Sequence, residues 1–142
     1  MSLSAGLACA AELASTFAAA ASSPTRALVV AIDPSAQLVC VDTTPSSQHF
    51  AADFVALQSV LASRPQTPCF LLVKTDAATP SGECAWLLIQ WVPDTAHVRD
   101  KMLYASSRAT LLRELGNARF VDSLFATNLV LLTLLPTVAM HR

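Results

Sequence analysis

At 142 residues the chain has the length of one domain, enough to bury about 68–70% of its unfolded surface without disulfide or metal staples. With 54% hydrophobic and only 13% charged residues it cannot be intrinsically disordered, although much of the apolar fraction is alanine. A net charge of −1 excludes the general basic excess that nucleic-acid binding or a polybasic membrane tether requires.

Residues 7–21 read as an alanine-rich helix with Leu7, Leu13 and Phe17 as its large apolar side chains, stopped by Ser22-Ser23-Pro24. Ala27–Ile32 and Gln37–Val41 read as strands around an Asp33-Pro34-Ser35 turn. Ser46 or Ser47 is placed to cap a helix over 49–63, where Phe50, Phe54, Leu57 and Leu61 recur at helical spacing. Cys69–Lys74 and Ala85–Trp91 are near-continuous apolar runs, the pattern of central strands covered on both faces. Pro93-Asp94-Thr95 opens the longest helix, over 95–115, and Gly116-Asn117 closes it. A short helix at 118–126 and a strand at 129–135 complete the order. This predicts a layered α+β domain, a mixed sheet of five to six strands with helices on both faces. The core spans residues 4–135 and a short tail 136–142.

The long helix is the informative element. With Arg99 at the origin and 100° per residue, Val98, Met102, Ala105, Ala109 and Leu112 fall between about 220° and 300°. Tyr104, Leu111 and Leu115 fall between about 120° and 160°, and Lys101 and Arg108 separate the two arcs. A surface helix needs one apolar stripe. Two stripes fit either a helix packed on two sides within its own domain or one that offers its second stripe to a partner.

Cys9, Cys40, Cys69 and Cys84 have no metal-ligand spacing and read as reduced thiols, which points to the cytosol. His49, His97 and His141 are scattered, and no two share a ligand-spaced helix face. Three glycines leave no room for a phosphate-cradling loop. Trp86 and Trp91 are five apart in one strand, so they point to opposite sides and read as core. The N-terminus lacks the basic start of a secretory leader, and the longest apolar run, Leu129–Leu135, is too short to cross a bilayer.

The stretch from Trp91 to Leu111 resembles the W-x-P-D-x-A/S-x-V-R-x-K-M-x-Y-A-S-S-R/K signature of the actin-depolymerising-factor homology family. Lys101–Leu111 and Asp122-Ser-Leu-Phe-Ala-Thr127 resemble the twinfilin branch more than the cofilins, and its N-terminal domain in particular. Ser4-Ala-Gly6-Leu7 and Pro68-Cys69-Phe70 are similar to the starts of the family's first helix and of a central strand.

The resemblance implies the family's fold and a cytoplasmic, cytoskeletal module that binds monomeric actin one to one. It would prefer the ADP form, regulate filament turnover by sequestering or delivering subunits, and act as a monomer without cofactor or metal. It also implies the binding residues: Ser4, Gly6 and Leu7 against actin, Arg99 and Lys101 on its acidic or carbonyl groups, and Met102 in its apolar cleft. Ser106, Ser107 and Arg108 are further candidates. Cofilins carry a basic pair where Glu83 and Ala85 stand, and twinfilins commonly have two lysines at Leu112 and Arg113. Weak or no binding to filament sides is therefore expected, with phosphoinositide binding unsupported. The competing readings are a cofilin-like severing factor, a non-actin interaction adaptor and a small cysteine hydrolase.

Overall fold

The computed structural model describes residues 8–46, 49–80 and 82–127. Six strands form one sheet in the order β1-β3-β2-β4-β5-β6. They are β1 (Ala8–Cys9), β2 (Thr25–Ile32), β3 (Gln37–Pro45), β4 (Cys69–Ala78), β5 (Cys84–Trp91) and β6 (Phe120–Ala126). The β2–β3, β2–β4 and β4–β5 pairs are antiparallel, and the outer pairs β1–β3 and β5–β6 are parallel. This is the mixed sheet of the expected α+β class.

The unalternating strands are explained by burial on both faces. Leu28, Val30, Leu72 and Leu88 pack under α1 (Ala11–Ala21) and α3 (Val98–Leu115). Their neighbours Val29, Leu71, Val73 and Ile89 pack under α2 (Phe50–Ala62). Trp86 belongs to the first cluster and Trp91 to the second, on opposite sides as their spacing requires. Trp91 satisfies its indole N–H by donating to the Arg64 carbonyl at 3.0 Å.

Four local expectations are corrected. The first helix starts at Ala11, because Ala8–Cys9 instead pairs with Gln37–Leu38 at the sheet edge. Ser46 does not cap α2: it accepts a hydrogen bond from Arg26, while the Asp76 carboxylate takes the Phe50 N–H at 2.7 Å. The long helix begins at Val98, after a turn in which the Ala96 N–H donates to the Pro93 carbonyl. Residues 118–126 are not a helix. A 3-10 turn at Asn117–Arg119 leads into β6, where the ladder with β5, the packing of Leu124 and Ala126 and the strand-favouring Phe and Val residues set the conformation. The strand expected at 129–135 and the tail at 136–142 lie outside the described residues.

Candidate functional site

α3 packs on the sheet through Tyr104, Ser107, Thr110, Leu111 and Leu115, all buried. Tyr104 anchors its first half: the ring lies 5.5 Å from that of Phe70, and the hydroxyl accepts the Ile32 N–H at 2.9 Å. Burial pushes the Tyr104 hydroxyl's pKa above its usual value. At the far end Gly116 adopts φ 105°, a left-handed conformation that a β-carbon would strain, and its N–H closes on the Leu112 carbonyl.

This packing decides between the two apolar stripes. The Tyr104–Leu111–Leu115 stripe faces inward. The other faces out, with Val98 69% and Met102 61% exposed and Ala105 and Ala109 also exposed. Leu112 alone of that stripe tucks against the core. The outward stripe thus leaves two large apolar side chains in solvent, where they add little to the stability of the fold.

The cations border this stripe. Arg99 is exposed and lines an open groove of about 530 Å³ with Asp33, Pro34, Pro68, Asp100 and Leu103. Hydrogen bonds from the Gln37 and Ser35 N–H groups and the Ser35 hydroxyl hold the Asp33 carboxyl below the usual range. Lys101 donates to the Asp94 carbonyl at 2.8 Å, and Arg108 reaches across to the Ser123 hydroxyl on β6. Among the described residues, none of Arg99, Lys101, Arg108 and Arg113 forms a salt bridge.

The site residues inferred from sequence thus divide. Arg99, Lys101, Met102 and Arg108 lie on or beside the outward face. Ser106 is half-buried, its hydroxyl donating to the Leu103 carbonyl at 3.0 Å. Ser107 is a correction: it is 0% exposed, its hydroxyl donates to the same carbonyl at 2.6 Å, and it packs the helix down. Ser4, Gly6 and Leu7 lie outside the described residues. Val98, absent from the residues that the resemblance implies, joins the outward face beside Met102, and the shared arc on the helix wheel is the sequence signal for it.

Burial makes Cys9, Cys40 and Cys69 poorer nucleophiles than a free thiol. Burial pushes Cys69 up to about 12 and Cys9 up to about 11, and raises Cys40, so at neutral pH these are protonated. Among the described residues no cluster of three or more His, Cys, Asp or Glu side chains could hold a metal ion. No helix of the described residues is long and apolar enough to cross a membrane.

Residues 6–132 match the model of the cofilin/tropomyosin-type actin-binding protein family. The chain belongs to that family. Among curated proteins it is 39% identical over 118 residues to the twinfilin of Drosophila melanogaster, a match covering 83% of this chain and 34% of that protein. It is 38% identical over 127 residues to the twinfilin of Aedes aegypti, covering 89% of this chain and 36% of the relative. The chain therefore spans about a third of the length of the twinfilins it matches. Among solved structures, Eh twinfilin superposes with a TM-score of 0.83 at 22% identity, covering 95% of this chain and 99% of that one. Actin depolymerization factor 2 of Plasmodium berghei superposes with a TM-score of 0.78 at 16% identity, covering 96% and 98%. These two likenesses establish the cofilin-type fold.

The fold also corrects one comparison with the cofilins. Ala85 is fully buried in β5, so it is no surface counterpart of a basic residue. Glu83 is on the surface, where its carboxylate meets Arg119 at 3.3 Å.

Proposed function

We propose that this domain is a non-catalytic module that binds one actin monomer through the outward face of α3. Met102 and Val98 supply the apolar contact, and Arg99 and Lys101 orient it against acidic or carbonyl groups. The observation that carries this reading is the exposure of the second apolar stripe of α3, bordered by cations that form no salt bridge among the described residues. It is the arrangement of helix-in-groove recognition, in which apolar side chains anchor and flanking charges steer. The family's description supplies actin as the occupant.

The domain sequesters or delivers actin subunits, prefers the ADP form, and works in the cytoplasm at the cytoskeleton. It binds filament sides weakly, because Glu83 brings an acidic group, already paired to Arg119, to the place where the resemblance puts a base. The test is addition of the domain to monomeric actin. Spontaneous polymerisation slows in proportion to domain added and saturates at one to one, while preformed filaments watched by fluorescence microscopy show no internal breaks. Unchanged polymerisation up to tens of micromolar, about the 7 kcal/mol range, rules the reading out.

A further inference from the structure

The groove beside Arg99 differs in charge from the outward stripe of α3. Its lining carries one guanidinium, that of Arg99, and two carboxylates, Asp33 from the β2–β3 turn and Asp100 from the first turn of α3. Pro34, Pro68 and Leu103 supply apolar lining. Among the described residues no ion pair joins Asp33 or Asp100 to Arg99. A partner that met Arg99 and Lys101 with acidic groups alone would leave both carboxylates facing it uncompensated.

The turn holds Asp33 in a fixed place. Its Oδ1 accepts the Ser35 N–H at 3.0 Å, the Ser35 hydroxyl at 2.8 Å and the Gln37 N–H at 2.9 Å. The backbone closes the same turn: the Ala36 N–H donates to the Asp33 carbonyl at 3.0 Å, and the Asp33 N–H to the Gln37 carbonyl at 2.9 Å. Ala36 is held at φ 64°, the one non-glycine residue among those described in the left-handed region, where a β-carbon is strained. All three side-chain bonds fall on Oδ1. Oδ2 has no hydrogen bond or ion pair among the described residues and is available to a donor entering the groove.

We propose that this groove is a second subsite of the partner contact, opposite in charge to the first, in which Asp33 Oδ2 receives a lysine or arginine side chain. The inference rests on the reading of α3 as the actin-binding face. The occupant is the same actin monomer, whose acidic groups meet Arg99 and Lys101. The contact then crosses the groove from α3 to the β2–β3 turn. One oxygen of Asp33 fixes the carboxylate and the other bonds the cation, so little side-chain freedom is lost on docking. Charges of both signs also set the register of the partner along the helix, which a field of one sign does not do.

The test titrates labelled monomeric actin at low salt with five proteins: the unchanged chain, Asp33→Asn, Arg99→Ala, Asp33→Asn/Arg99→Ala and Arg99→Ala/Lys101→Ala. Thermal unfolding is recorded for each. Asparagine keeps the Oδ1 acceptor that holds the turn and removes the charge. Asp33→Asn is expected to weaken binding about fivefold with an unchanged midpoint, and by a similar factor in the Arg99→Ala background. The difference should shrink as salt is added. Unchanged or tighter binding by Asp33→Asn, while Arg99→Ala/Lys101→Ala has lost affinity, overturns the subsite and leaves the α3 reading intact. A loss that vanishes in the Arg99→Ala background shows Asp33 acting through Arg99 and also overturns it. So does a loss matched by a fall in the midpoint, which assigns Asp33 to the turn alone. No binding by the unchanged chain removes the α3 reading and this inference together.

Discussion

Arg26, at the start of β2, is 3% exposed, and its guanidinium donates to Asp53, Asp76, Ser46 and the Lys74 carbonyl while lying 5.8 Å from the Phe50 ring. Arg99, at the start of α3, is exposed, and among the described residues it forms no salt bridge. The first region uses charge to tie α2 to β2 and β4. Lys74 does similar work nearby, donating to the Ala20 and Ser23 carbonyls at the end of α1, each at 2.7 Å. The second has no ion pair to its cations among the described residues and leaves most of its apolar stripe exposed. Charge spent inside the domain shows up as stability; charge left outside is available for a partner.

The sharpest way to break this contrast is at Arg26. Arg26→Met leaves Asp53 buried without its ion partner and is expected to cost about 3–5 kcal/mol in denaturant unfolding. A loss below about 1 kcal/mol would place Arg26 with the solvated charges. Next is Lys74→Met, which removes the ammonium donor from the Ser23 carbonyl and leaves the Ala20 carbonyl only the Ser23 N–H, and should cost about 1–3 kcal/mol.

A third test uses pH. Burial pushes the Asp76 carboxyl up, but the hydrogen bonds from the Phe50 N–H and Arg26 outweigh it, so its pKa is lowered in the folded state. The unfolded chain then takes up the proton first. The contribution of Asp76 is present above the ordinary carboxylate range and is lost as pH falls through its folded value. Asp76→Asn should flatten that part of the stability profile, and an unchanged profile would contradict the capping role. The smallest effect is expected on the outward face: Val98→Ser and Met102→Ser should each shift stability by no more than about 0.5 kcal/mol. A larger loss would mean that this stripe packs within the domain.

Much of the fold was legible because its signals are local. The β2–β3 and β4–β5 hairpins announce themselves by apolar runs around Asp33-Pro34 and Thr79-Pro80, and the five-residue spacing of the tryptophans places them on opposite faces. What failed depends on distant partners. Phe120–Ala126 carries no clean alternation of apolar and polar residues, and its identity as a strand is settled by its ladder with β5. The ion cluster at Arg26 joins residues 27 and 50 positions apart, so nothing nearby in the chain reports it. For the site, the wheel resolved two stripes on α3 but not which one faced in. Ser107 and Thr110 explain why: both are buried though polar, and Ser107 can be so because its hydroxyl bonds back to the Leu103 carbonyl. Their inclusion turns the buried side of the helix away from Val98 and Met102.

The most direct test of the outward face is the Arg99→Ala/Lys101→Ala variant, measured for monomeric-actin affinity and thermal stability on the same preparation. Neither cation pairs with an acidic side chain among the described residues, and Arg99 stands in the first turn, where a positive charge is slightly unfavourable to the helix dipole. Truncation is therefore expected to leave stability within about 1 kcal/mol while affinity falls by about tenfold or more. Unchanged affinity, or a loss of affinity matched by unfolding, would contradict the assignment of this face to the partner.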